Sequence, residues 1–390
     1  MTKFAIFAER PVEVYKKCDA WLIVCVILLW GLGIFTLFVC SANYAQRVFD
    51  DPYHFIKRQG VFSVIGIIAF IVCSSVNLNV LRRILPWIVG GAMALCLMAF
   101  VPGIMSPRNG AHRWISIPFV GETFQPSELA KVAVILFLAN WFDKYSESNL
   151  GEYPSLNKPV IALALFVGIV MLQEDFSTAL FIFVIGFSLF YMAGAKIGKL
   201  LPFIFLACVA MLIFLFTSRF RVNRLIAFIN PEFDTHGYNY QTNKARIAIK
   251  AGSLFGQGFG SGLEKIKQVP EIQNDYIFSG WAEGMGFVGV LAYFILLLCF
   301  SFRAYFIAFK SSSRFNALLV FGAATCILLQ SLCNCGVVCG ALPATGITLP
   351  FFSYGGSSLL ITFCLCGFIV NVSREDPSEE ITEYNYCYEI

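Results

Sequence analysis

The chain has 390 residues, 58% of them hydrophobic and 13% charged, with a formal net charge of +4 and a mean hydropathy of +0.74. Soluble proteins carry about 25% charged residues. A water-soluble globular domain is therefore excluded, and the chain is read as a polytopic membrane protein.

Residues 1–20 form a polar arm. The apolar stretch after it is longer than the roughly 7–15 residues of a signal-peptide core, so it is read as a first span and not as a cleaved leader. A helix crosses the hydrocarbon core with roughly 17–25 apolar residues. Ten windows serve, at about 21–41, 60–77, 84–104, 127–142, 159–174, 177–195, 199–217, 276–301, 315–337 and 353–373. Their apolar runs are continuous, not alternating, so helices are expected in place of a closed β-barrel. Most short-loop Lys and Arg, among them Lys16, Lys17, Arg82, Arg83, Lys196 and Lys199, fall on the side of the N-terminus. Only Arg47, Lys57, Arg58, Arg108 and Arg113 fall on the other. The positive-inside rule then places both termini in the cytoplasm.

The expected fold class is all-α, with ten transmembrane helices and a large outer loop, 218–275, between the seventh and eighth. The membrane domain covers 21–373, and the acidic stretch 374–390 is a solvated cytoplasmic tail. Long loops translocate regardless of their charge, so the basic residues of 218–275 need another reason, and an anionic ligand supplies one. The 14 cysteines lie mostly within spans, where they behave as small apolar residues. Cys333-x-Cys335-xxx-Cys339 lacks zinc spacing and a nearby His, so no metal site is assigned there.

Four polar clusters fall on the outer side under this topology. In 105–128, Asn109-Gly110 signals a turn, and Arg113-Trp114 sets a cation beside an interfacial aromatic. Gln125-Pro126-Ser127-Glu128 opens the fourth span, with Lys131 three residues on. Glu128 and Lys131 share a helix face. They are either a self-neutralising pair behind a Ser127 cap, or functional, since buried membrane charges are expensive. Gln173-Glu174-Asp175-Phe176-Ser177-Thr178 is a tight turn whose acids cap a helix, pair with arginines or hold a cation. In the long loop, Arg219, Arg221 and Arg224, then Lys244, Arg246 and Lys250, make no single helical face. Forked guanidinium groups nevertheless suit a pyrophosphate, and the plainer reading is attraction to anionic headgroups. Gly256-x-Gly258-x-Gly260-x-Gly262 resembles a phosphate cradle, but no Walker lysine or βαβ unit accompanies it, so an interfacial turn is expected. Asp275 stands at the start of the eighth span, with Glu283 about two turns on, facing the same way and about 12 Å deeper. Asp275 is either an N-cap or a desolvated general base with a raised pKa. Pro350 predicts a bent or re-entrant start to the tenth span, and its small residues favour close packing.

Together these segments resemble the SEDS family (shape, elongation, division and sporulation), the RodA/FtsW membrane glycosyltransferases, over about residues 20–373. Asn109-Gly110-Ala111-x-Arg113-Trp114 and Gln125-Pro126-Ser127-Glu128-Leu129-Ala130-Lys131 look like the first outer-loop signature. Gln173-x-Asp175-x-x-Thr178-Ala179 looks like the QPDxGTA turn, and Pro270-Glu271-x-x-x-Asp275-Tyr276-Ile277-Phe278 like the PEAHTDFIF block. Leu342-Pro343-x-Thr345-Gly346 and Leu349 through Ser358 look like the last outer segment. Phe351-Phe352-Ser353-Tyr354, with Ser41-Ala42-x-x-Ala45 and Asp51-Pro52-Tyr53, leans toward the FtsW-like branch. Departures are Gln273 for the usual His, Gly284 for the second acid of GEELG, Glu174 for the QPD proline, Ser177 for the following Gly, Ala251-Gly252-Ser253 for SGG, and Lys244-Ala245 for a Gln-Ser pair.

The resemblance implies an enzyme of the bacterial cytoplasmic (inner) membrane that polymerises lipid II into peptidoglycan glycan strands, working with a class B penicillin-binding protein. The family's essential acid falls on Asp275, the expected base. Arg219, Arg221, Arg224, Lys244 and Arg246 are candidates to stabilise the pyrophosphate charge, and Arg113, Glu128 and Lys131 to shape the groove. Asp175, Glu283, Ser353 and Ser357 complete the candidate substrate-binding set. A divalent cation, magnesium or manganese, would add Lewis-acid neutralisation, though no motif requires one. No nucleic-acid partner is expected. Two other readings stay open. A lipid II flippase needs polar residues across the whole membrane, whereas Glu128, Lys131, Asp175, Asp275 and Glu283 crowd one half. An inactive scaffold recruiting the cross-linking partner is the other, and Gln273 and Gly284 favour it.

Overall fold

The structure, a computed structural model, describes residues 18–102, 112–116, 123–147, 156–230, 232–234, 237, 239–259, 263 and 269–374. The Asn109-Gly110-Ala111 motif, Arg108, Gly260, Gly262, the first 17 residues and the acidic tail from Glu375 lie outside the described residues.

The elements in chain order are α1 (Ala20–Phe49), α2 (His54–Ser75), α3 (Leu78–Met98), β1 (Ile115–Ser116), β2 (Thr123–Phe124), α4 (Pro126–Glu147), α5 (Asn157–Leu172), α6 (Phe176–Met192) and α7 (Ile197–Thr217). Then come α8 (Arg219–Ile229), α9 (Tyr240–Gly252), α10 (Ile277–Lys310), α11 (Arg314–Val338) and α12 (Gly356–Val372). The two short strands pair antiparallel, Ile115 opposite Phe124. Among the described residues six helices are long and apolar enough to cross a membrane: α1, α2, α3, α7 from Gly198, α10 and α11. Helices α5, α6 and α12 are apolar but shorter.

Each expected apolar window contains a helix, with shifted ends. α1 runs on to Phe49, and α2 and α3 begin at His54 and Leu78, earlier than hydropathy marks. The cause is polar first and last turns. Asn77 caps α3 by accepting from the Asn79 N–H at 2.9 Å. Arg82, inside α3, pairs with Asp143 of α4, whose other oxygen accepts from the Phe315 N–H at the start of α11. Near that same end Asp19 caps α1 and pairs with Arg303 of α10. The segment expected as a loop holds α8 and α9. On α9 a narrow stripe of Ala245, Ala248 and Gly252 is buried, enough to seat a basic helix by one face.

Helices α4, α11 and α12 occupy the centre. Most of α4 from Ser127 to Ala139 is buried, and α11 lies against both α4 and α10. α12 lies along α2, and Asn371 donates to the Cys73 and Val76 carbonyls at 2.8 and 2.7 Å. Before α12 the chain turns inward. Phe351 and Phe352 are buried, with Phe352 edge-on to Trp281 and Tyr293 of α10. The chain thus passes through buried turns at 350–353 before α12 begins, the bend that Pro350 predicts.

α10 is broken at Gly286, whose φ of 64° is not helical. A regular helix would pair residue 283 with 287 and 284 with 288. Here the Phe287 and Val288 N–H groups donate instead to the Ser253 and Leu254 carbonyls, at 2.9 and 3.1 Å. The Gln257 and Gly258 N–H groups donate to the Glu283 and Gly284 carbonyls, at 2.9 and 3.1 Å. The segment after α9 is thus spliced into the helix. A Cβ at Gly256 (φ +81°) would strike the Gly284 carbonyl, and one at Gly286 would strike the Gly256 nitrogen, so only glycine serves at both. The N–H groups of Gln257 and Gly258 are committed to α10 and are not presented to a phosphate.

Candidate functional site

Asp275 ends a run of turns and stands just outside α10, whose N-cap is Tyr276 with no side-chain cap bond. The capping role is therefore not taken, and the carboxylate is not spent on helix N–H groups. The backbone beneath it is pinned from several sides. Asn334 of α11 donates through Nδ2 to the Asp275 carbonyl at 2.7 Å and to the Ile347 carbonyl at 2.8 Å. The Gln273 carbonyl accepts from the Tyr354 N–H at 2.7 Å. The Tyr276 hydroxyl lies 3.0 Å from Thr242 Oγ1 of α9.

Burial pushes the Asp275 carboxyl up to about 6. Glu271 and Asp175 push the same way, while Arg224 and Arg113 draw it back. Arg113, just ahead of β1, donates to the Glu174 carbonyl, and its Nη1 lies 3.6 Å from Asp175 Oδ1. Asp175 caps α6 through the Thr178 N–H and accepts from Gln125 Nε2 at 2.9 Å. Between acid and cation lies the bare backbone of Gly346. A Cβ there would stand 3.7 Å from Asp275 Oδ2 and 3.9 Å from Arg113 Nη1.

Arg224 of α8 donates to the Ala344 carbonyl at 3.4 Å. With Arg246, Asn239, Thr242, Asn243 and Gly340 it lines a small cleft beside the acid's segment. Arg221 is turned away onto the Phe214 ring, 3.9 Å from its centre, Lys244 lies over Tyr240, and Arg219 is exposed. Of the basic set expected at the pyrophosphate, Arg224 acts electrostatically on Asp275 and shares a cleft with Arg246, while Arg113, expected to shape the groove, also acts on Asp275 electrostatically.

Glu128 and Lys131 form a buried pair at 2.8 Å, one turn apart on α4. Lys131 also donates to Gln330 Oε1 at 2.8 Å, and Gln330 Nε2 reaches Thr348 and Ser358. The pair thus supports the segment that carries Gly346 from below. Ser353 accepts from the Leu349 N–H at 2.8 Å and closes the re-entrant turn, and Ser357 is half-buried in the first turn of α12. Glu283 is fully buried near Cys40 of α1, at the splice. The expectation that it shares a helical face with Asp275 is corrected, because Asp275 precedes the helix and its phase does not extend there.

Sequence reasoning missed Asn334, Gln330 and Gln59. Gln59 of α2 donates to the Ser353 carbonyl at 3.2 Å and accepts from the Gly355 N–H. All three are buried carboxamides on apolar helices, and that expense is the signal that would have found them. Around Asp275, Gln273 Oε1, Asn334 Oδ1, Thr345 Oγ1 and Arg113 Nε are buried and make no hydrogen bond to any of the described residues. Buried polar atoms are ordinarily satisfied, so these stand out among the described residues. Among the described residues no group of three or more His, Cys, Asp or Glu gathers as a metal site. The Asp275 carboxylate faces the carboxylates of Glu271 and Asp175 as well as the guanidinium groups of Arg224 and Arg113.

Residues 20–378 match the family of cell cycle proteins typified by FtsW, RodA and SpoVE. A probable peptidoglycan glycosyltransferase FtsW from Geobacter sp. (strain M18) is 34% identical over 365 residues, covering 93% of this chain and 98% of the relative. The corresponding protein of Thioalkalivibrio sp. (strain K90mix) is 33% identical, covering 92% and 90%. Among solved structures, a peptidoglycan synthase complex described for its coordination of polymerization and crosslinking contains a chain similar to this one. It has a TM-score of 0.73 and 26% identity, covering 92% of this chain and 98% of that one. The Thermus thermophilus rod shape determining protein RodA is similar with a TM-score of 0.67 and 25% identity, over 92% and 98% of the two chains.

Proposed function

Because this chain belongs to the FtsW, RodA and SpoVE family, we propose that it is a peptidoglycan glycosyltransferase that polymerises lipid II, with Asp275 as its base. The observation that carries the reading is the placement of Asp275. It is an acid uncommitted to helix capping, with a carboxyl near 6, under the influence of Arg224 and Arg113 and beside a side-chain-free backbone position.

At neutral pH such a carboxyl is mostly ionised and basic enough to accept a proton in the transition state. Asp275 takes the proton of the acceptor sugar's 4-hydroxyl. That oxygen forms a bond to the anomeric carbon of the donor, and the bond from that carbon to the pyrophosphate oxygen breaks. Undecaprenyl pyrophosphate leaves with the bonding pair, and the configuration inverts. Arg224 and Arg246, which share one cleft, meet the charge that develops on the leaving group. Arg113 orients the acid's neighbourhood through Asp175. Glu128, Lys131, Ser353 and Ser357 act on the shape of the groove, while Arg219, Arg221 and Lys244 extend its positive surface. Asp175 and Glu283 serve as supports in this reading and not as acids that transfer the proton. No step is routed through a metal.

The topology that serves this chemistry has ten spans, namely α1 to α7 and α10 to α12, with both termini cytoplasmic. The Asp275 end then faces outward across a bacterial inner membrane. The membrane domain is 21–373, the outer segment 218–275 supplies α8 and α9, and 1–20 and 374–390 are cytoplasmic. The cross-linking partner is a class B penicillin-binding protein. The test is glycan polymerisation from lipid II by the purified chain with such a partner, beside Asp275→Asn. Polymer from the native chain and none from the folded variant is the expected result. Polymer from both sinks the assignment of the base, and polymer from neither moves the reading to a scaffold or a flippase.

A further inference from the structure

We propose that Asn334 is a positioning residue for this reaction: its single amide group fastens the segment bearing Asp275 to the segment bearing Gly346, and so fixes where the carboxylate stands relative to Arg113. The inference rests on the reading of Asp275 as the base.

Asn334 is 1% exposed on α11, one turn beyond Gln330. Its two amide hydrogens are divided between two carbonyls on two different segments, at 2.7 and 2.8 Å. One carbonyl belongs to Asp275 itself and the other to Ile347, next to Gly346. Other buried amides hold the same re-entrant stretch elsewhere. Gln330 reaches Thr348 and Ser358, and Gln59 reaches Ser353 and Gly355. Neither of those touches Asp275. Removing the Asn334 amide leaves two buried carbonyls without a donor, and a group so stranded pulls in water or moves toward it. The acid and the glycine would then part.

The charged groups facing Asp275 are Glu271 on its own segment, Arg224 from α8, Arg113 ahead of β1 and Asp175 at the start of α6. The Tyr276 phenol adjoins it, α9 contributes the uncharged Thr242, and α11 contributes Asn334. Burial is the largest cause of the raised carboxyl. A segment that loosens and hydrates therefore lowers the titration midpoint.

The experiment uses the purified full-length chain and compares Asn334→Ala, Asn334→Ser and Gln330→Ala. The first readout needs no substrate. It is the infrared titration of the protonated-carboxyl band that disappears in Asp275→Asn. The native midpoint is expected near 6. It should fall by about one unit in Asn334→Ala and by less in Asn334→Ser, which keeps one donor. Gln330→Ala loosens the same stretch without touching Asp275 and should leave the midpoint in place. The second readout is lipid II polymerisation, where Asn334→Ala should lower kcat about tenfold or more with KM changed by less than about threefold. A native midpoint and native kcat in Asn334→Ala, or the same midpoint shift in Gln330→Ala, would overturn the proposal. If Asn334→Ala does not fold, the Ser variant decides in the same way. A native chain that titrates as expected yet makes no polymer defeats the glycosyltransferase reading, while the midpoint comparison still decides the role of Asn334.

Discussion

Replacing Asp275 by Asn should abolish polymerisation and at the same time make the protein more stable at alkaline pH. The carboxyl is raised from 3.8 to about 6. One pKa unit corresponds to about 1.4 kcal/mol, so holding the ionised acid in its site costs about 3 kcal/mol. The sign follows from proton binding. The folded state binds this proton more tightly than the unfolded chain does. The stabilising contribution is therefore complete below the unfolded value and is lost as pH rises through about 6. Asn is nearly isosteric and never ionises. Above about pH 6 the variant should unfold later than the native chain, and below about pH 4 the two should coincide. The assay is the apparent unfolding midpoint in lipid nanodiscs, followed by tryptophan fluorescence across that range, with polymerisation measured on the same samples. A variant less stable than the native chain at pH 8 would refute the reasoning. It would show that Arg113 and Arg224 outweigh burial and hold the acid as a stabilised ion pair.

Removing one member of the buried Glu128–Lys131 pair strands the other, so Glu128→Gln or Lys131→Met alone should cost about 3–5 kcal/mol in unfolding measurements. The double variant should recover most of that loss. Arg224 draws the Asp275 carboxyl downward, so Arg224→Ala should move the acidic limb of the pH–rate profile to higher pH, and by more than Arg113→Ala does. Gly346→Leu adds a side chain whose Cβ alone already reaches van der Waals contact with the acid, 3.7 Å from Asp275 Oδ2. The longer side chain would fill the space between acid and cation, and turnover should fall at least about a hundredfold. Gly256→Ala should lower the unfolding temperature and loosen α10, since the added carbon strikes the Gly284 carbonyl at a positive φ.

Much of this arrangement is written in the order of residues. Continuous apolar runs mark the helices because a membrane span must satisfy every backbone group within itself. Glu128 and Lys131 are legible as a pair because three residues separate them on a helix. Hydropathy is blind where helices are polar, so α8 and α9 read as loop, although Ala245, Ala248 and Gly252 hint at a buried stripe. The helical period also misleads at Asp275, which stands before α10 begins, so counting turns to Glu283 pairs residues that have different neighbours. Asn334, Gln330 and Gln59 stay hidden for another reason. An amide on an apolar helix shows its price in the sequence but not its partner, and here each has at least one partner among the backbone groups of residues 347–355, which only the fold brings close.

The break at Gly286 joins a long apolar helix to the segment after α9 by four backbone hydrogen bonds. Two stretches distant in sequence therefore open as one unit. The amide protons of Phe287 and Val288 lie well inside α10, where exchange with solvent is ordinarily governed by the helix as a whole. Here they are guarded by the Ser253 and Leu254 carbonyls, so their exchange keeps time with the release of residues 253–258. Deuterium uptake at those two positions is thus a clock, set within the span, for events at the Asp275 end of the molecule.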